Sequence, residues 1–169
     1  MTSDQFFGGS SPETVLGTSG FELAFIDGLH LFEQALRDFI HLERWAGHGA
    51  LILIHDCLPL DDVTSARERT TQFYSGDIWK VIATLTQYRQ DLRIATVPTA
   101  PTGLCMVTNL DRKSNLLADR FEEITARFVD MGWSEYCGHL EYSAPRIKNE
   151  RGAIREWLDQ VPDVEGGRP

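Results

Sequence analysis

Residues 21–59, FELAFIDGLH LFEQALRDFIHLERWAGHG ALILIHDCLP, limit what this chain can fold into more than any other stretch. Phe21–Ile26 is a short aromatic and aliphatic run with little alternation, as expected of a parallel strand covered on both faces. Asp27-Gly28 ends it. Over 31–46, Phe32, Ala35, Leu36, Phe39, Ile40 and the aliphatic stem of Glu43 fall on one stripe, which predicts an amphipathic helix. Gly47 and Gly49 supply its stop signal. A second aliphatic run, 50–54, follows and ends in His55-Asp56. Strand, helix and strand at this spacing predict a βαβ unit with a right-handed crossover.

The rest of the chain is read around that unit. Pro12 with Glu13 marks a short helix over Pro12–Leu16. Residues 58–75 are polar and broken by Pro59 and Asp61-Asp62, with a short helical piece expected around 65–71; a connection of this length suits an active-site loop. A helix is predicted over 77–89, with Asp77 as its N-cap or first-turn acid. Strands are predicted at 92–97 and 103–108, pairing as an antiparallel hairpin at the sheet edge. A helix over 115–131 follows, then an irregular aromatic stretch over 133–145. A last helix over 146–160 is weakened by Gly152. The fold class is therefore α/β, with residues 1–110 forming the sheet-bearing part and 111–169 a helical extension packed on the same domain.

Totals narrow the function classes. The 169 residues suit one domain. A formal charge of −9 and the lack of a basic run argue against nucleic acid as a partner. Cys57, Cys105 and Cys137 are odd in number and form no CxxC pair, so neither a zinc knuckle nor a disulfide framework is expected. No apolar stretch reaches the roughly 20 residues of a membrane span, and the N-terminus lacks a signal-peptide pattern. A soluble, cytoplasmic protein is expected.

In parallel sheets, ligands collect beyond the carboxyl ends of the strands. Asp27 and Asp56 both fall there. At matched depth on neighbouring strands, two carboxylates can share a divalent cation such as Mg²⁺. His30 follows Asp27 past a glycine that permits a sharp turn, and it would enter the same cleft as a general base. Each residue also has a plainer reading. Asp27 can cap the helix that follows it, Asp56 can be a turn residue, and His30 can be a helix-start histidine. His55 is expected to hydrogen-bond locally, and Trp79 to be core.

Phe25-Ile26-Asp27-Gly28-Leu29-His30, the helix after it, and Leu53-Ile54-His55-Asp56 resemble the fourth and fifth strands of class I S-adenosylmethionine-dependent methyltransferases. The branch resembled is the O-methyltransferase-like one with an IDG-x-H strand end. Thr2-Ser3-Asp4 with Phe6-Phe7 resembles that branch's segment after its third strand. Strands 92–97 and 103–108 would then be the sixth and seventh of a Rossmann-like sheet. The resemblance covers roughly residues 1–110. It implies methyl transfer from S-adenosylmethionine to a small-molecule hydroxyl, with His30 and Asp27 catalytic, Asp27 and Gly28 at the cofactor, and Asp27 and Asp56 as ligands where Mg²⁺ is used. It also implies that the first three strands, which hold most of the cofactor in that superfamily, are not in this sequence. Strand 21–26 would then be an exposed apolar edge, from which a homo-oligomer is expected. The alternative is a catalytically inactive α/β module acting in dimerisation or partner binding.

Overall fold

The computed structural model describes residues 2–9 and 12–160. Its elements run α1 (Ser3–Gly9), α2 (Pro12–Leu16), β1 (Phe21–Ile26), α3 (Phe32–Trp45), β2 (Ala46–His55), α4 (Trp79–Tyr88), β3 (Arg93–Val97), β4 (Leu104–Thr108), α5 (Leu116–Asp119), α6 (Phe121–Phe128), α7 (Trp133–Cys137), a 3₁₀ turn at Leu140–Tyr142, and α8 (Arg151–Asp159). The strands form one mixed sheet in the order β1-β2-β4-β3. β1 and β2 are parallel and joined through α3, whereas β4 runs antiparallel to both β2 and β3. This is the α/β arrangement of a partial Rossmann-like sheet.

α3 shows why the stripe forms the core. Phe32, Ala35, Leu36, Phe39, Ile40 and Glu43 are all buried. They meet Ile26, Ile52 and Ile54 of the sheet and Trp79, Val81, Ile82 and Leu85 of the α4 region. Burial of each such side chain contributes about 1.5–3 kcal/mol. Leu117, Ile124 and Phe128 extend the same core into α5 and α6.

Glu43 lies on the apolar stripe for a different reason from its aliphatic stem. Its carboxylate accepts two hydrogen bonds from Arg89, at 2.6 and 2.7 Å, and one from the Asp111 amide. Arg89 also binds Asp91. Both side chains of the Glu43–Arg89 pair are almost wholly buried.

The structure corrects several local expectations. The last helix starts at Arg151 rather than 146, and the stretch 133–145 read as irregular holds α7 and the 3₁₀ turn. β1, expected to be covered on both faces, leaves Leu23 and Phe25 exposed because no strand or helix covers its outer side among the described residues. Gly47 and Gly49 do not end α3 from outside it but lie within β2. The backbones at 20–21 and 45–47 run so close that a Cβ on Gly47 would sit 2.8 Å from the Phe21 carbonyl oxygen. Residues 65–71 form turns rather than a helix. The predicted 115–131 helix is broken at Arg120 into α5 and α6. Asp77 does not cap α4. It accepts a 2.7 Å hydrogen bond from the Phe32 amide, 45 residues away, and so satisfies a free N–H at the start of α3.

The two sheet edges differ. Beyond β3, Thr96 pairs with the 145–147 segment, donating to the Pro145 carbonyl and accepting from the Ile147 amide. β1 has no strand on its outer side among the described residues. Leu23 and Phe25 there are 60% and 54% exposed. No helix among the described residues is long and apolar enough to cross a membrane.

Candidate functional site at the strand ends

Register decides which side chains meet. Ile26 pairs with Ile54, so Asp27 is level with His55, and Asp56 lies one residue further on. The expectation of two acids at matched depth gives way to a staggered acid–histidine–acid arrangement. Asp56 turns back into the cleft through a left-handed backbone conformation, φ 58°. Such a conformation is uncommon for a residue other than glycine. Its side chain is 6% exposed, against 41% for Asp27.

His30 arrives from the β1–α3 connection. Its Nε2 lies 3.3 Å from Asp56 Oδ2 and 3.8 Å from Asp27 Oδ1. His55 Nδ1 lies 3.4 Å from Asp27 Oδ1 and 3.3 Å from Asp56 Oδ2. Asp27, His30 and Asp56 each place one potential ligand atom within 4.8 Å of the others. The structure therefore brings together Asp27, His30 and Asp56, and adds His55, which sits between the two acids rather than bonding only locally. The helix-capping alternative for Asp27 is not what the structure shows, because Asp77 meets the Phe32 amide and α3 has no side-chain cap of its own.

The walls come from segments that carry no motif. Thr102, at the start of the β4 approach, donates its hydroxyl to Asp56 Oδ1. The Tyr74 ring stacks on His30 with centroids 5.8 Å apart and planes 18° apart. Its hydroxyl donates to the Arg67 carbonyl, and burial pushes its pKa above the ordinary range. Gly76, at φ +65°, passes so close to His30 that a Cβ would lie 2.2 Å from the His30 carbonyl oxygen. His30 is thus held between the Tyr74 ring and the Gly76 backbone. Only the length and polarity of 58–75 hinted at this wall; the stacking partner was not readable.

The same loop is anchored by charge. Arg67 donates to both oxygens of Glu33 and to Asp77 Oδ2. These hydrogen bonds hold the Glu33 carboxyl below its usual range. Lys80 donates to Asp77 and to the Val129 carbonyl. Cys57, next to Asp56, is buried and its thiol is pushed up to about 12, so it is no thiolate nucleophile near neutral pH.

Asp27 and Gly28 line an open groove with Ser3, Phe7, Phe25 and Asp38. Gln34 ties α1 to its floor, donating to Ser3, Asp4 and Asp38. Phe7 stacks on His41, 4.8 Å between centroids.

Among protein families, a methyltransferase-domain family matches residues 4–57, which span α1 through the end of β2 and Asp56-Cys57. No curated protein and no solved structure was found to match the chain.

Proposed function

With methyltransferase-domain sequence across residues 4–57 as the premise, we propose that this chain serves methyl transfer from S-adenosylmethionine to the hydroxyl oxygen of a small molecule. The observation that carries the reading is the convergence of Asp27, His30 and Asp56 just beyond the carboxyl ends of the parallel strands, where α/β sheets bind ligands. S-adenosylmethionine, when bound, would supply the methyl group from its sulfonium centre, and His30 Nε2 would take the proton that the acceptor hydroxyl gives up as its oxygen is methylated. The carboxylates 3.3 and 3.8 Å away stabilise the imidazolium that forms. The Tyr74 stack and the Gly76 backbone fix the ring so that little reorganisation is needed. The groove at Asp27 and Gly28 takes the cofactor side of the reaction.

The test is S-adenosylhomocysteine binding by calorimetry, followed by methyl transfer to a panel of small hydroxyl compounds. His30→Gln should lower turnover by about 10²–10⁴-fold while leaving S-adenosylhomocysteine affinity nearly unchanged. Equal turnover in His30→Gln and wild type would remove the base from the mechanism. Absence of cofactor binding would remove the activity.

A second reading rests on the open edge of β1. Its outer backbone edge, unpaired among the described residues, and the exposed Leu23 and Phe25 suit pairing with another copy, by which the chain acts as an association module. Light scattering at micromolar concentration should show a dimer that Leu23→Lys disperses. A wild-type monomer throughout that range rules this reading out.

A further inference from the structure

A pocket of about 320 Å³ opens between the 58–75 loop, the start of α4 and residues 129–133, and it shares no lining residue with the Asp27–His30–Asp56 cluster. Small-molecule sites have volumes of roughly 300–1,000 Å³. The buried end of the pocket is Lys80, 3% exposed. Its ammonium donates to Asp77 at 3.1 Å and to the Val129 carbonyl at 2.6 Å. An ammonium has three N–H donors, and the third has no oxygen acceptor among the described residues. The open end carries Asp62 and Asp130, both exposed.

Charge decides what suits such a mouth. The two cations that line the pocket are already matched, Arg67 by Glu33 and Asp77, and Lys80 by Asp77. Asp62 and Asp130 make no ion pair among the described residues. The Ser134 hydroxyl, 3.0 Å from each Asp62 oxygen, holds that carboxylate in place. The unbalanced charge at the mouth is therefore negative and attracts a cation. Between the two ends stands Trp133. Tyr136 stacks on it, with centroids 5.0 Å and planes 21° apart, and Trp79 meets it edge-on at 5.2 Å. With one face covered, an indole keeps its other face for a guest, and that face attracts flat rings and cations. Met131 adds a soft, adaptable wall.

We propose that this pocket is a binding site for a small aromatic amine, with the ammonium at Asp62 and Asp130, the ring against Trp133 and an oxygen acceptor at Lys80. The proposal stands on this pocket alone and does not need the methyl-transfer reading to hold.

Tyramine carries those three groups in that order and serves as the probe. Calorimetry on the full chain compares it with phenethylamine, which lacks the oxygen, with 4-ethylphenol, which lacks the ammonium, and with 3-(4-hydroxyphenyl)propionate, which reverses the charge. The expected result is one tyramine per chain, binding about 3–10-fold weaker for phenethylamine and 4-ethylphenol, and the weakest binding for the propionate. Asp62→Asn should weaken tyramine by about 3–10-fold and leave 4-ethylphenol unchanged. Trp133→Leu keeps an apolar wall but removes the π face, so it should bring the tyramine and 4-ethylphenol affinities closer together. Asp62→Asn, at an exposed position, keeps the test available if Trp133→Leu fails to fold. His30→Gln should leave tyramine binding unchanged; loss there would place the amine at the strand ends and overturn the assignment. Tighter binding of the propionate, equal affinity for tyramine and 4-ethylphenol, or no tyramine binding up to about 10 mM would overturn it as well.

Discussion

Arg89→Met should destabilise the protein by about 3–5 kcal/mol, because it leaves the Glu43 carboxylate buried without its cation. Glu43 and Arg89 are 3% and 2% exposed, and they bind each other through two parallel hydrogen bonds. Glu43 keeps only the Asp111 amide once the guanidinium is gone. For a domain of this size the loss corresponds to a fall in Tm of roughly 6–20 °C. Urea or thermal unfolding reads it directly. The control is the double variant Arg89→Met with Glu43→Leu. Removing both charges together should restore most of the stability, since an apolar pair of similar volume often replaces a buried ion pair without loss. If the double variant is no better than the single, packing at Arg89 matters more than charge.

Gly76→Ala should strike the site more than the fold. Two effects act at once. An L-residue held in the left-handed region costs about 1–2 kcal/mol. The new methyl group would also meet backbone, 2.2 Å from the His30 carbonyl oxygen and 2.6 Å from its Cβ. Backbone cannot rotate away as a side chain can, so His30 must move. On the proposed methyl transfer, with His30 as the base, a displacement of about 1 Å costs on the order of 10²-fold in rate. Gly49→Ala separates the two effects. Gly49 has φ +69°, but a Cβ there meets nothing within 4 Å. It should show the strain in unfolding experiments and leave turnover alone. Equal turnover in the two variants would mean that the Gly76 approach does not position His30.

What could be read from the sequence follows from how local the responsible physics is. β1 and the buried face of α3 were legible because periodicity and chain breaks act within a few residues. Asp27, His30 and Asp56 were legible because strand ends gather ligands whatever the rest of the sheet does. The place of His55 beside them was not, because it depends on register, and one step of register decides whether an acid faces an acid or an imidazole. Gly47 looked like a helix stop because glycine does both jobs; only the close crossing with Phe21 identifies the second. Asp77 was placed on its own helix because a capping side chain is sought nearby. Its partner amide, on Phe32, is 45 residues away.

That last contact ties three parts of the molecule into one mechanical unit. Asp77 holds the first turn of α3, the Arg67 side of the 58–75 loop and the Lys80 ammonium through the two oxygens of one carboxylate. The loop whose Tyr74 covers His30 therefore cannot swing out freely: pulling Arg67 away unbalances a buried acid that also anchors the helix leading out of β1. Access to the cleft and fraying of α3 share one free energy. The Phe32 amide should then act as a clock for both: its exchange with solvent deuterium is expected to keep time with the opening of the 58–75 loop, as hydrogen-exchange measurements would read.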